Sequence, residues 1–227
     1  MIQTVTHDPS ATARPFLSEV APLNVQRRDD ALYLLATEYG RPLTQYEVCK
    51  TVVLSDVLHV IETGRVIFGG SLVALPYGPI IDGTFDACRS WARGGVAAAL
   101  MAPWVSSPSA PLHKSGTMPG REHVSIFVAA DDYGRRSEAS WDGFAADEQR
   151  HIREAYSRVI GMTFGDSQRY FHEPVSAIGY AYEVATRPFD KPFRGSVAMN
   201  WFDMLDGAER IERVDVGYAR DLLGLWV

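Results

Sequence analysis

The chain is poor in several things, and each shortage closes off a class of protein. Its 227 residues hold two cysteines, Cys49 and Cys88, too few for a disulfide framework and too few to build a zinc site by themselves. No apolar run approaches the roughly 20 residues that a bilayer-spanning helix needs. Positive charge is not in excess: 22 Lys and Arg stand against 28 Asp and Glu, a net −6. That balance argues against nucleic acid or an anionic membrane as a direct partner. The opening MIQTVTHDPSATARPF lacks the basic and apolar regions of a secretory signal, so the expected location is cytoplasmic. G-x-x-x-x-G-K-[ST], G-x-G-x-x-G, H-E-x-x-H and G-x-S-x-G are all missing, and with them the usual signatures of phosphate, dinucleotide, metalloprotease and hydrolase chemistry. No internal repeat, heptad array or βαβ alternation is visible.

What is there is an ordinary globular composition: 46% hydrophobic, 11% aromatic and 22% charged. A chain of this length buries roughly 70–75% of its unfolded surface, enough for one core without disulfides or metal. Residues 1–26, rich in Thr, Ser, Ala and Pro, read as a flexible arm, and 27–227 as one domain. A helix is expected over 28–39, stopped by Gly40. The strongest local signal follows. Thr44 and Glu47 have capping-box spacing, and a helix should run over 44–63 to Gly64. Its wheel carries Thr51, Ser55, His59 and Glu62 on one narrow polar stripe, read as a solvent face, with apolar residues filling nearly everything else. Such a helix belongs at the centre of a core.

Val66-Ile67-Phe68 and Leu72-Val73-Ala74-Leu75 flank Gly69-Gly70-Ser71, a hairpin signal. Pro76-Tyr77-Gly78-Pro79 follows as a rigid turn. Further helices are expected over 81–93, with Phe85, Cys88 and Trp91/Ala92 inward, and over 144–160, with Ile152, Ala155, Tyr156 and Val159 inward. Shorter ones fall at 165–172, 175–185, 199–208 and 215–224. Residues 103–122, with Pro103, Pro108, Pro111 and Pro119, read as a long loop, and 123–129 alternates like a strand. The fold expected is mainly α (α+β): a compact helical domain around one buried helix, with a small β-hairpin and short strands.

Few residues offer chemistry. Asp56 and His59 are close enough on a helix to couple, which makes a small hydrolase using Asp56, His59 and His172 the enzymatic alternative. The plainer reading of His59 is the solvent stripe, and of His172-Glu173 a helix end. Cys49 and Cys88 lie on apolar faces and read as core. Lys50 and Asp56 interrupt the apolar arc of the central helix about 120° apart, too far round to pair with each other at about 100° per residue. A charge there is costly unless partnered, so both should tie the helix to backbone groups of the hairpin and the Tyr77-Gly78-Pro79 turn.

These residues, in this order, carry a resemblance. Lys50 through His59, then Gly64-Arg65-Val66-Ile67-Phe68-Gly69-Gly70, then Val73-Ala74-Leu75-Pro76-Tyr77-Gly78-Pro79 resembles the Panacea domain, the family of SocA-like antitoxins and phage-associated proteins. Its hallmark is a lysine opening an apolar helix, an aspartate six positions on, a glycine-flanked hairpin and a Tyr-Gly-Pro turn. Phe144-Ala145-Ala146-Asp147-Glu148, the stretch from Gly161 to His172-Glu173, and Met199 through Leu205 resemble later segments of the family. The likeness extends from 31 to 206 and is strongest at 50–79, with 103–122 as an insertion. It implies a protein without catalytic residues, metal or cofactor that neutralises a cognate protein toxin by binding it, in the SocA-like branch also delivering it to a bacterial ATP-dependent protease. Lys50, Asp56, Tyr77, Gly78, Pro79, His172 and Glu173 are then the candidates for partner binding or for the structural network behind it. A phage-associated regulatory protein that binds a host factor is the alternative.

Overall fold

The computed structural model describes residues 16–41, 43–92, 104–106, 125–128 and 138–225. Its first described residues are a pinned strap. Leu17 N donates to Asn200 Oδ1 at 3.1 Å, Trp201 N donates to Leu17 O, Glu19 bridges to Ser71 and Val20 is buried. Residues 16–26 are therefore not part of a loose arm, and positions 1–15 lie outside the described residues. Helix α1 (Val25–Tyr39) starts three residues before the expected position because Asn24 caps it, accepting from Arg27 N.

A two-residue strand, β1 (Leu43–Thr44), runs directly into α2 (Gln45–Thr63). Thr44 Oγ1 accepts from Glu47 N at 3.1 Å and Glu47 Oε2 accepts from Thr44 N at 2.7 Å, the reciprocal cap predicted by the spacing. Gly64, with φ 70°, ends the helix by donating to Val60 O. From Val48 to Val60 every residue except Leu58 is buried. Five of these are fully enclosed Val and Leu, each contributing about 1.5–3 kcal/mol. That is how the helix can hold Lys50 and Asp56 inside.

The hairpin forms one turn later than expected. β2 (Leu72–Leu75) pairs antiparallel with β3 (Gly78–Ile81), in the register Leu72↔Ile81 and Leu75↔Gly78, so Pro76–Tyr77 is the two-residue turn. No strand forms before Gly69-Gly70, because the amides of Ile67, Phe68 and Gly69 turn onto the Asp56 carboxylate rather than onto a ladder. α3 (Thr84–Ala92) buries Cys88 and half-buries Phe85 as expected; the side chains of Trp91 and Ala92 lie outside the described set. It begins after 81 because Ile81 still belongs to β3.

β4 (Trp104–Ser106) falls within the stretch read as loop 103–122, whose remainder lies outside the described residues, and β5 (Ser125–Val128) falls where a strand was expected. Then come α4 (Ala146–Gly161), α5 (Phe164–His172), α6 (Ala177–Thr186), the short β6 (Val197–Ala198), α7 (Trp201–Gly207), which continues as a π turn over Ala208–Glu212, and α8 (Gly217–Gly224). Two three-stranded sheets result, ordered β1-β5-β4 and β3-β2-β6, both antiparallel.

One continuous core joins α2 to Leu32 and Leu35 of α1, Ile152, Ala155, Tyr156 and Val159 of α4, and Trp201, Met204 and Leu205 of α7. The fold is mainly α with small β elements. α4 lies along the face of α2 read as a solvent stripe, so Thr51, Ser55 and His59 are buried and Glu62 alone of the four is exposed. On that buried stripe Ser55 turns its hydroxyl back onto Thr51 O, and His151 of α4 meets His59. No helix among the described residues is long and apolar enough to cross a membrane.

Candidate functional site

The residues singled out in the sequence come together in two places along α2. Lys50, 2% exposed, donates from Nζ to Pro79 O at 2.8 Å, with its charge over the rings of Phe171 (4.8 Å to the centroid) and Tyr46 (5.7 Å). Burial pushes its pKa down to about 7. β3 can pass this close because residue 78 is glycine. Its φ is 95°, and a Cβ there would lie 2.7 Å from Lys50 Nζ and 2.8 Å from His172 Nε2.

His172, the last residue of α5, lays its ring against Tyr182 of α6 at 4.6 Å between centroids, and Tyr182 OH donates to Leu75 O at 3.0 Å. Burial and the Lys50 charge push the imidazole pKa down to about 4, against the opposing bond to the Tyr77 backbone. Its Nε2 is buried with no hydrogen-bond partner. Lys50, Gly78, Pro79 and His172 thus form one cluster drawn from α2, β3 and α5, while Tyr77, 39% exposed, stands at the hairpin tip. Glu173 points its side chain outward toward Arg169, at 3.9 Å, a surface pair of little energetic weight.

Asp56 does not pair with Lys50, as expected. Its Oδ1 accepts from Ile67 N at 2.7 Å and Phe68 N at 2.9 Å, and its Oδ2 from Gly69 N at 3.2 Å. Burial raises its pKa to about 7, and the three amide donors pull the other way. The carboxylate organises the 66–70 loop, leaving no oxygen directed at His59.

His59 instead meets a residue that sequence reasoning passed over. Its Nδ1 lies 3.1 Å from His151 Nδ1, with the rings 5.3 Å apart and 67° inclined. His151 Nε2 lies 3.1 Å from Glu62 Oε2, and Arg150 holds Glu62 Oε1 at 2.6 Å. Burial first, then neighbouring positive charge, keeps both imidazoles below their ordinary value. His151 precedes Ala155 by four residues and Val159 by eight, the spacing of the buried face of α4, and that spacing is the signal that marks it. The buried pair Arg28–Asp29, Nε to Oδ1 2.8 Å, offers no such signal, since adjacent residues on a helix do not normally face each other. Burial lifts Asp29 to about 6 despite the Arg28 charge.

Asp56, His59 and His172, the trio of the hydrolase alternative, therefore bond to a loop, to His151 and to the Tyr77 backbone respectively. The two cysteines are free and buried, with Cys88 hydrogen-bonded to Cys49. A cavity of about 470 Å³ lies between the start of α2 and the α4–α5 junction, lined by Arg41, Tyr46, Val159, Met162, Phe164 and Ser167 among others. None of the candidate residues lines it. No set of three His, Cys, Asp or Glu side chains among the described residues is placed to hold a metal ion. The chain matches no family model, no curated protein and no solved structure.

Proposed function

We propose that the chain is a Panacea-type antitoxin, a binding protein that neutralises a cognate protein toxin by direct contact and not by catalysis. One observation carries the reading: the block that bears the resemblance turns its two buried charged residues onto its own backbone. Lys50 is bonded to Pro79 O and Asp56 to the amides of 67–69. A general base must reach a proton on its substrate, whereas Lys50 braces the β2–β3 hairpin and Asp56 the loop before it, with Tyr77 exposed at the hairpin tip. A braced surface loses little freedom when a partner docks, which favours recognition. Delivery of the captured toxin to an ATP-dependent protease is the finer form of the same proposal.

The test is to express the gene beside this one alone and together with this chain. Growth arrest relieved by co-expression, with a stable complex of the two purified proteins by calorimetry, is the expected result. A neighbouring product that is harmless, or whose toxicity persists, sinks the reading. Toxin that disappears only in cells with the protease intact supports delivery.

A further inference from the structure

We infer that the segment 187–195 and the tip of the β2–β3 hairpin form one docking face for an acidic protein segment carrying an aromatic or aliphatic anchor. α6 ends at Thr186, and the segment that follows is held by Phe193, which is buried. The Phe193 ring packs edge-on to Tyr182 at 6.5 Å and takes Phe189 at 5.3 Å. Tyr182 in turn carries the His172 ring, which also bonds the Tyr77 backbone. The Phe189 ring and the Tyr77 backbone are thereby tied to the same His172–Tyr182 stack, and the Phe189 and Tyr77 side chains are 46% and 39% exposed.

The charge on this face is opposite to that of the molecule. Residues 187–194 hold Arg187, Lys191 and Arg194 against Asp190 alone, in a chain of net −6. Arg187 is matched by Glu183 at 3.2 Å. Lys191 bonds only the Thr186 hydroxyl, at 3.3 Å, and neither it nor Arg194 has a carboxylate partner among the described residues. Two cations without a carboxylate partner among the described residues, on a segment that also exposes Phe189 and is joined through His172 to the hairpin that exposes Tyr77, give the composition of an interface hot spot: aromatic anchors with charge that steers. The attraction is for negative charge, and the rings ask for an apolar group among the acids. A protein segment offers both. Nucleic acid asks for a longer run of cations than two, and the −6 of the whole chain repels a polyphosphate.

The inference deepens the antitoxin reading by naming the face and the chemistry of its partner, and rests on that reading only for what the partner does in the cell. The test needs no identified toxin. The full chain is used to select from a phage-displayed library of random peptides about twelve residues long, and the enriched sequence is made as a fluorescent peptide. Enrichment of Asp and Glu around a Trp, Phe or Leu is expected. Binding of that peptide should weaken at least tenfold for Lys191→Ala with Arg194→Ala, and for Tyr77→Ala with Phe189→Ala, in variants that melt like the parent. Arg65→Ala, outside the face, should leave it unchanged. No enrichment, enriched peptides indifferent to both double variants, or a twelve-nucleotide oligo(dT) that displaces the peptide at lower concentration than the peptide itself would each overturn it. Growth rescue by co-expression is read separately, so failure of this face and failure of the antitoxin role are distinguishable.

Discussion

The Nδ1 atoms of His59 and His151 face each other at 3.1 Å inside the α2–α4 interface, so one ring donates while the other accepts. Two doubly protonated rings cannot make that bond. Glu62, Asp147, Glu148 and Arg150 surround the pair, and burial holds both pKa values below 6.5. A histidine whose folded pKa is depressed takes up protons more readily when unfolded. Its contribution is therefore intact above pH 6.5 and lost as pH falls through the folded value; His172, at about 4, extends the window downward. The stability difference between the parent and the His59→Phe, His151→Phe double variant, measured by urea unfolding, should be constant above pH 6.5 and shrink or reverse toward pH 4. A pH-independent difference contradicts this account.

Gly78→Ala should cost about 2–4 kcal/mol, because the new methyl must displace Lys50 Nζ and His172 Nε2 at a positive φ. Gly40 has a positive φ too but open space around it, so Gly40→Ala should cost only about 1 kcal/mol. Denaturant midpoints of the two variants separate crowding from backbone strain.

Asp56→Ala strands three buried amides, and a loss of about 3 kcal/mol or more is expected. Asp56→Asn keeps a carbonyl for Ile67 and Phe68 but sets an amide group against Gly69 N, so its loss should be smaller. Hydrogen exchange at 67–69 should rise in the order parent, Asn, Ala. Equal protection in all three would mean that the loop is held by something else.

Lys50→Ala should cost about 1–3 kcal/mol by leaving Pro79 O without its donor. Lys50→Met, which keeps the aliphatic stem against Phe171, should recover part of that loss. If Met proves no better than Ala, the packing of the stem contributes nothing.

Cys49 and Cys88 are buried, and burial together with their mutual contact lifts the Cys88 thiol above its ordinary value. Reactivity follows the thiolate. Both should resist a disulfide reagent at neutral pH and react only as fast as the protein opens, so the labelling rate should track urea concentration.

Local features were legible because their cause is local. Thr44 and Glu47 cap a helix whose end at Gly64 needs no other part of the chain, and the apolar faces of α2 and α4 follow from spacing alone. The inward orientation of Lys50 and Asp56 was legible too, since charges on an apolar arc demand backbone partners. The hairpin was not, because whether the amides of 67–69 join a ladder or cap a carboxylate depends on Asp56 lying beside them in space.

Period, propensity and the cost of burying charge were enough to place the helices, the Thr44–Glu47 cap, the stops at Gly40 and Gly64, the buried axis and the candidacy of Lys50, Asp56 and the Tyr77-Gly78-Pro79 turn. The burial of His59 came from long-range packing, since a polar stripe reads as solvent until His151 is brought to it from 92 residues away. That packing also decided that Gly78 admits both Lys50 and His172, and that the aromatics of 187–195 continue the stack behind Tyr77. Contacts between residues distant in the chain are set by the packing of whole helices, and no local pattern encodes them.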